Sequence, residues 1–416
     1  MILALATLAF NGAAYLYNVA CIRYLGSRGY GDVAPLLALG ALVALPLGSI
    51  QIVIAREVVH LGSRSKTARL LKRITRRAVL LGAALTGLGL LLVAPIQDLL
   101  NVESSVAVAA SVSGILFAVV AAGLYGVIQG ELRFNALSLT YTISGASRVV
   151  LVVPALLLGF GAAGALAVNT LAGGLAVLLA TLALRDLWRT DEAAEELHFD
   201  RQEVTVMLVG SLAFASLTNV DVILAAYFLP DDTAGVYAAA ALVGKAVLFL
   251  PAAIVTVLLP KAAVRREAGL SPHKILLASA AVTLVITLSA TVVLALVPES
   301  LLVWAFGGDF RDSTALLPWF GLAMTAAALV NIYLSVYFAE RKALFPLLVF
   351  GAAVAQVLAV VFWHPSALSI VLVTLACAGS VLIIHEIAFP YALARVIRSR
   401  RTRVVVSGAE EDRIRT

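Results

Sequence analysis

Charge is scarce in this chain. Only 13% of its 416 residues are Asp, Glu, Lys or Arg, against 62% hydrophobic. Such a composition cannot be divided into an apolar core and a wetted surface, which excludes a water-soluble globular protein. Cysteine is nearly absent too. Cys21 and Cys377 fall in the first and last hydrophobic runs, which excludes a disulfide framework between exposed loops. No ten-residue alternation of apolar and polar positions runs through the sequence, which excludes a membrane barrel and leaves helices to satisfy the backbone in lipid. The first segment has neither a basic flank nor a small-residue cleavage site. It reads as a retained helix rather than a signal peptide, and because the chain opens inside hydrophobic sequence it leaves room for a short cytoplasmic lead.

What is present is a series of long apolar runs. A hydrocarbon core about 30 Å thick takes roughly 20 residues of helix. Windows of that size lie near 1–22, 34–55, 78–96, 106–128, 138–158, 162–184, 204–229, 236–259, 275–297, 314–338, 346–363 and 367–390. The expected fold is an all-α integral membrane protein of about 12 transmembrane helices.

The series is also written twice. YLGSRGYGDVAPLLALGALVALPLGSIQIVIAR lines up with YFLPDDTAGVYAAAALVGKAVLFLPAAIVTVLLPK, so that Tyr24, Gly31, Gly40, Pro46 and Arg56 match Tyr227, Gly235, Gly244, Pro251 and Lys261. The displacement is about 204 residues, and a duplicated hydrophobic unit predicts two similar bundles able to rock about a site between them. The expected organisation is an N-terminal six-helix lobe over 1–184, a linker over 185–203, a C-terminal six-helix lobe over 204–393 and a basic tail over 394–416. The two lobes are expected to be related by pseudo-two-fold symmetry. The linker is acidic and solvated, and its His198 has no ligand-spaced partner, so no metal site is expected there.

Orientation follows from Lys and Arg, which are retained on the cytoplasmic side. With both termini inside, every Lys and Arg falls in a cytoplasmic segment except Arg23, Arg28 and Arg311 in outer loops and Arg148 and Lys245 within helices. The richest stretch, 56–77, is expected to hug the anionic inner leaflet of a plasma (inner) membrane. The net charge of +6 therefore reports topology and membrane-lipid contact, with no nucleic-acid partner expected.

Ionisable groups inside the membrane mark function by default. Arg148 has no acid at its depth in its own helix or the next, and is expected to face a cavity, a distant Asp221 or a substrate anion. Asp221 and Lys245 lie at similar depth on antiparallel neighbours and are expected to form an ion pair, either a structural lock or part of a site. Asn18 maps onto Asp221 in the repeat, and Arg23, five positions on, either reaches the same vestibule or snorkels at the interface. The counterpart of Arg148 falls near Gln356. Gln51, Asn169 and Asn331 read as interhelical glue. Pro46, Pro251 and Pro154 each remove a backbone bond and invite a kink.

The runs NVACIRYLGSRGYGDVAPLLALGALVALPLGSIQIVIARE, DDTAGVYAAAALVGKAVLFLP and WAFGGDFRDSTALLPWFGLAMTAAALVNIYLSVYFAERKA resemble the polysaccharide and O-antigen flippases. That family has an Arg-x-Leu-Gly element before a Tyr-Gly turn and a late Phe-Gly-x-x-Phe loop. The resemblance, from about Asn18 to Phe345, implies the multidrug, oligosaccharidyl-lipid and polysaccharide exporter fold, with two lobes around a V-shaped cavity. It implies export of a polyprenyl-(pyro)phosphate-linked oligosaccharide from inner to outer leaflet for cell-surface polysaccharide, beside a polymerase and glycosyltransferases. Arg148, Lys245 and Arg23 suit such an anion because Arg holds phosphate oxygens bidentately, and Asn18 and Asp221 complete the expected substrate-binding set.

Two alternatives are cation-coupled multidrug export within the same superfamily and a lipid II type flippase, which resembles fourteen-helix chains. The first usually wants a carboxylate buried in the first lobe, and helices one to six offer none. A membrane glycosyltransferase would need a carboxylate base and usually a metal or large outer loops. The longest outer loop here is 298–313, where Asp309 and Asp312 lack a His partner. A noncatalytic scaffold is the remaining reading. Neither enzymatic activity nor a cofactor is expected.

Overall fold

In the computed structural model, the described residues are 2–191, 200–251, 258, 264–265 and 273–389. The 394–416 tail, residues 192–199 of the acidic linker with His198 among them, and Lys261 lie outside them. Among the described residues there are only helices and turns. Eleven of the helices are long and apolar enough to cross a membrane.

The first of these, α1 (Ile2–Leu61), runs 60 residues. At 1.5 Å per residue a straight helix of that length would reach about 90 Å, three times the thickness it must cross. It is folded at Gly26, whose φ of 70° and ψ of −173° are open to glycine and closed to residues with a Cβ. The fold divides α1 into two spans, which brings the crossings to the twelve expected.

The remaining N-terminal elements are α2 (Arg64–Leu91), α3 (Val93–Leu100), α4 (Ser105–Gly130), α5 (Phe134–Leu157), α6 (Gly161–Ala183) and the single turn α7 (Arg185–Trp188). The C-terminal ones are α8 (Arg201–Phe228), α9 (Asp231–Phe249), α10 (His273–Ala295), α11 (Glu299–Phe306), a 3₁₀ segment (Gly308–Leu316), α12 (Leu317–Ala339), α13 (Leu344–Phe362) and α14 (Ala367–Ala388).

One feature differs from the sequence reading. The basic stretch after Leu61 is helical and extends α2 beyond the bilayer-sized window that begins near residue 78. Pro46 sits inside α1, within the expected 34–55 window.

The core shows how the lobes meet. At the end away from the basic connections, the far end, one apolar cluster is shared by both lobes. It includes Tyr17, Val33, Val108 and Val152 from the first and Tyr237, Phe310, Phe320 and Ile370 from the second. At the basic end each lobe has its own core, one around Leu70, Leu71, Val127 and Ile128, the other around Phe214, Tyr333, Tyr337 and Phe345. Fused at one end and separately packed at the other, the lobes leave space between them.

Short polar bonds secure both ends. At the far end Ser27 donates to Asp232 Oδ1 at 2.8 Å and Asn101 Nδ2 to Asp231 Oδ1 at 2.5 Å. Gly31 and Gly235, matched in the repeat, face each other here. A Cβ on Gly235 would stand 1.9 Å from the Ser27 carbonyl oxygen, so the close approach of α1 and α9 requires that glycine. At the basic end Glu203, buried, accepts from Arg56 of the other lobe and from Arg341 at 2.8 Å.

A separate clamp closes the first lobe at the same end. Asp186 accepts from Arg133 and Arg64, each at 2.6 Å. The Arg133 hydrogen bond, joined by the nearby charges of Arg133 and Arg64, holds the Asp186 carboxyl down at about 2.

Candidate functional site

A cavity of about 830 Å³ occupies the gap, lined by both arms of α1, by α4, α5 and α6, and from the second lobe by residues of α8 and α9. Its wall is largely apolar, and among the described residues its lining includes no Asp, Glu or His. Two cations stand on it, Arg148 and Lys245. Each lies 14 residues along its helix, α5 from one end and α9 from the other. At 1.5 Å per residue each is about 21 Å from its own end, so both lie inside the membrane, Arg148 toward the far side and Lys245 toward the basic side.

Arg148 is set in an aromatic recess. Its guanidinium carbon lies 5.0 Å from the centre of the Phe10 ring. Phe10 in turn contacts Tyr141, which meets Tyr125 edge to face at 5.0 Å, and all three rings line the cavity. The Arg148 Nε is buried and has no hydrogen-bond partner among the described residues. Ring faces offset part of the desolvation of a cation, but they leave its N–H groups unbonded. A buried donor left unbonded costs on the order of 1–3 kcal/mol.

Lys245 faces the same space from the opposite lobe. Its Nζ donates to Asn219 Oδ1 at 3.3 Å and lies 3.7 Å from Asp221 Oδ1. Asp221, wholly buried, accepts from the Tyr237 hydroxyl at 3.0 Å, and its place is behind the wall. The expected ion pair is therefore present, with the lysine toward the cavity.

Asn18 lines the cavity, but its polar atoms are engaged. Nδ2 donates to the Ala14 carbonyl and Oδ1 accepts from the Tyr30 hydroxyl at 3.1 Å, so it braces the two arms of α1 across the Gly26 corner. Asp221 and Tyr237 brace α8 and α9 in the same manner. Arg23 departs from the expected set. It lies outside the lining and donates to the Trp304 carbonyl of the second lobe at 3.1 Å.

Gln51 pairs with Gln129 at 2.9 Å, in keeping with interhelical glue, while also reaching the cavity. Gln356, the counterpart of Arg148, is buried against Thr374 at 2.8 Å. The positive charge is thus confined to one lobe's interior and one facing lysine. The aromatic recess was not foreseen. Tyr125 and Tyr141 sit in apolar helices whose weak periodicity does not distinguish a cavity face from a lipid face.

Residues 1–264, more than half of the chain, match the family model described as polysaccharide biosynthesis protein. The chain belongs to that family. Among curated proteins none matches it. Among solved structures, this family member is similar to the lipid II flippase MurJ in an inward closed conformation, at a TM-score of 0.72 and 14% identity over 95% of this chain and 87% of that one. It is similar to an inward-facing multidrug resistance MATE family transporter of the MOP superfamily, at 0.67 and 17% over 93% and 95%. A MOP superfamily transporter from Pyrococcus furiosus aligns at 0.61 and 15% over 93% and 94%. At these identities the likeness establishes the two-lobe fold of a multi-pass membrane protein, the one expected from the repeat.

Proposed function

We propose that this polysaccharide biosynthesis family member is a flippase. It carries a polyprenyl-(pyro)phosphate-linked oligosaccharide across the membrane by alternate opening of its two lobes. The observation that carries the reading is the unbonded guanidinium of Arg148 in a largely apolar cavity with no lining carboxylate among the described residues. A phosphate group supplies the acceptors that Arg148 lacks, and in a low-dielectric recess the charge-assisted bond is strong. Lys245 adds a second cation from the facing lobe. The same lining disfavours cation-coupled drug export, which calls for a carboxylate within reach of a cationic drug.

In this reading the basic end is cytoplasmic, in keeping with the positive-inside rule. The membrane is the plasma (inner) membrane, and both termini lie inside. The lipid-linked glycan enters at the basic end, its head group meets Arg148, and closure there with opening of the far end delivers it outward. The chain itself transports without making or breaking a bond. Glycosyltransferases supply its substrate and a polymerase consumes its product.

Arg148→Ala is the test. Export of lipid-linked glycan into the outer leaflet of proteoliposomes should fall at least tenfold, with membrane insertion intact. Wild-type export by that variant would remove Arg148 from the mechanism and with it the support for this function.

A further inference from the structure

We propose that Asp221 and Lys245 form a proton switch in the cavity wall: a phosphate group that draws the Lys245 ammonium toward itself leaves Asp221 to take up one proton. The inference rests on the reading of the cavity as a phosphate passage, and adds that occupancy by the anion is linked to protonation of the opposite lobe.

The pair is loosely held for a buried one. Lys245 Nζ lies 3.7 Å from Asp221 Oδ1, beyond normal hydrogen-bond length. That oxygen is buried with no hydrogen-bond partner among the described residues. The ammonium has three donors and its single hydrogen bond runs to Asn219, another cavity residue. It can therefore turn onto an incoming acceptor at small cost. Asp221 cannot follow, because it is wholly enclosed and fixed by the Tyr237 hydroxyl.

The first copy builds the matching corner without these charges. In the first copy the same corner is braced by Asn18 and Tyr30 at 3.1 Å, both uncharged, and the position matching Lys245 is Ala41. Acid and base are both replaced by neutral residues there. A buried ion pair is often no more stabilising than neutral packing. Its presence on the cavity side of one lobe therefore points to use rather than to stability.

The step balances simply. Lys245 keeps its three protons and passes from the carboxylate to a phosphate oxygen. Asp221 is then a buried carboxylate that has lost its cation and keeps one hydroxyl donor, an unpaired buried charge. It takes one proton from the bulk buffer, relayed through cavity water, which forms an O–H bond at the unbonded Oδ1. When the phosphate leaves, the ammonium returns and that proton goes back to water. The groups around the pair are Thr218 and Asn219 on α8, Tyr237 on α9 with Thr374 of α14 beside its hydroxyl, Asn18 and Tyr30 from α1, and Arg148 across the cavity.

Infrared spectra of the full chain in lipid nanodiscs test the pair without any ligand. Folded Lys245→Met should show a protonated-carboxyl band that is absent from wild type and lost again when Asp221→Asn is added. No extra band overturns the proposal. The second arm is calorimetry with farnesyl pyrophosphoryl glucose, a diester whose own charge is fixed near neutral pH, in two buffers of different ionisation enthalpy. Wild type should take up about one proton per ligand bound and Asp221→Asn none. Binding without proton uptake overturns the switch alone, whereas failure of wild type to bind overturns both the switch and the phosphate reading.

Discussion

Arg148 is neutralised by no carboxylate among the described residues; ring faces and an adjoining space surround it. An isolated ammonium could supply the same charge, so the two side chains can be told apart by experiment. Lysine lacks the planar fork that binds two phosphate oxygens at once and stacks less well on a ring. Arg148→Lys should lower glycan transport in proteoliposomes by roughly tenfold, about 1.4 kcal/mol, leaving more activity than Arg148→Ala. Equal loss in the two variants would mean that the fork, not the charge, does all the work. Arg148 was legible in the sequence because a lone cation in an apolar run is costly and has few explanations. Its recess was not, since Phe10, Tyr125 and Tyr141 come from three separate spans and look like ordinary membrane aromatics until those spans are folded together. Arg23 shows the opposite failure. Five residues from Asn18 it looks close to the site, yet beyond the wall it bonds the Trp304 carbonyl.

At the level of elements, hydrophobic length alone gave the twelve crossings and the repeat gave their grouping into lobes. Boundaries were harder. The corner in α1 falls between the expected windows 1–22 and 34–55, but that the chain stays helical on both sides of a single glycine was not legible, and the helical extension of α2 is too basic for an apolar window to include. Gly26 combines φ 70° with ψ −173°, a strained region for any L-residue, at a cost of about 1–3 kcal/mol. A Cβ there would also come within 3.3 Å of Asp309 Oδ2. Gly26→Ala should therefore lower the melting temperature of the detergent-solubilised protein by several degrees, and an unchanged melting point would show that the corner is not strained. The clamp joining α2, the α4–α5 turn and α7 gives a pH test. Its Asp186 carboxyl is held at about 2 by Arg133 and then Arg64, below its ordinary range. Its contribution is therefore complete above that range and is lost only as pH falls through about 2. Asp186→Asn should lower the melting temperature at neutral pH, and the difference from wild type should vanish near that acid limit. A gap that persists there would mean that the clamp acts through shape rather than charge.

On the scale of the whole molecule, two seams oppose each other across the cavity. At the far end α1 and α9 approach so closely that Gly235 has no room for a side chain. At the basic end the Arg56–Glu203–Arg341 cluster joins the lobes through one buried carboxylate. The far seam lies over a core shared by both lobes, while the basic seam closes over two separate cores. The second is therefore the easier to part, because opening it breaks charge contacts without exposing a continuous apolar interior. Truncating one member of a buried ion network typically costs 3–5 kcal/mol, enough to move a balanced two-state equilibrium by more than two orders of magnitude. In a background with Cys21 and Cys377 replaced by Ala, a cysteine at Gln51 on the cavity wall reports access from the basic end. Glu203→Gln should speed its labelling by a soluble maleimide severalfold. Gly235→Leu wedges the far seam apart and, if the lobes rock as rigid bodies, should close the basic end and slow the same labelling. Opposite signs from two substitutions at opposite ends are what a seesaw requires. Shifts of the same sign would indicate local loosening and remove rocking from the account of how this protein works.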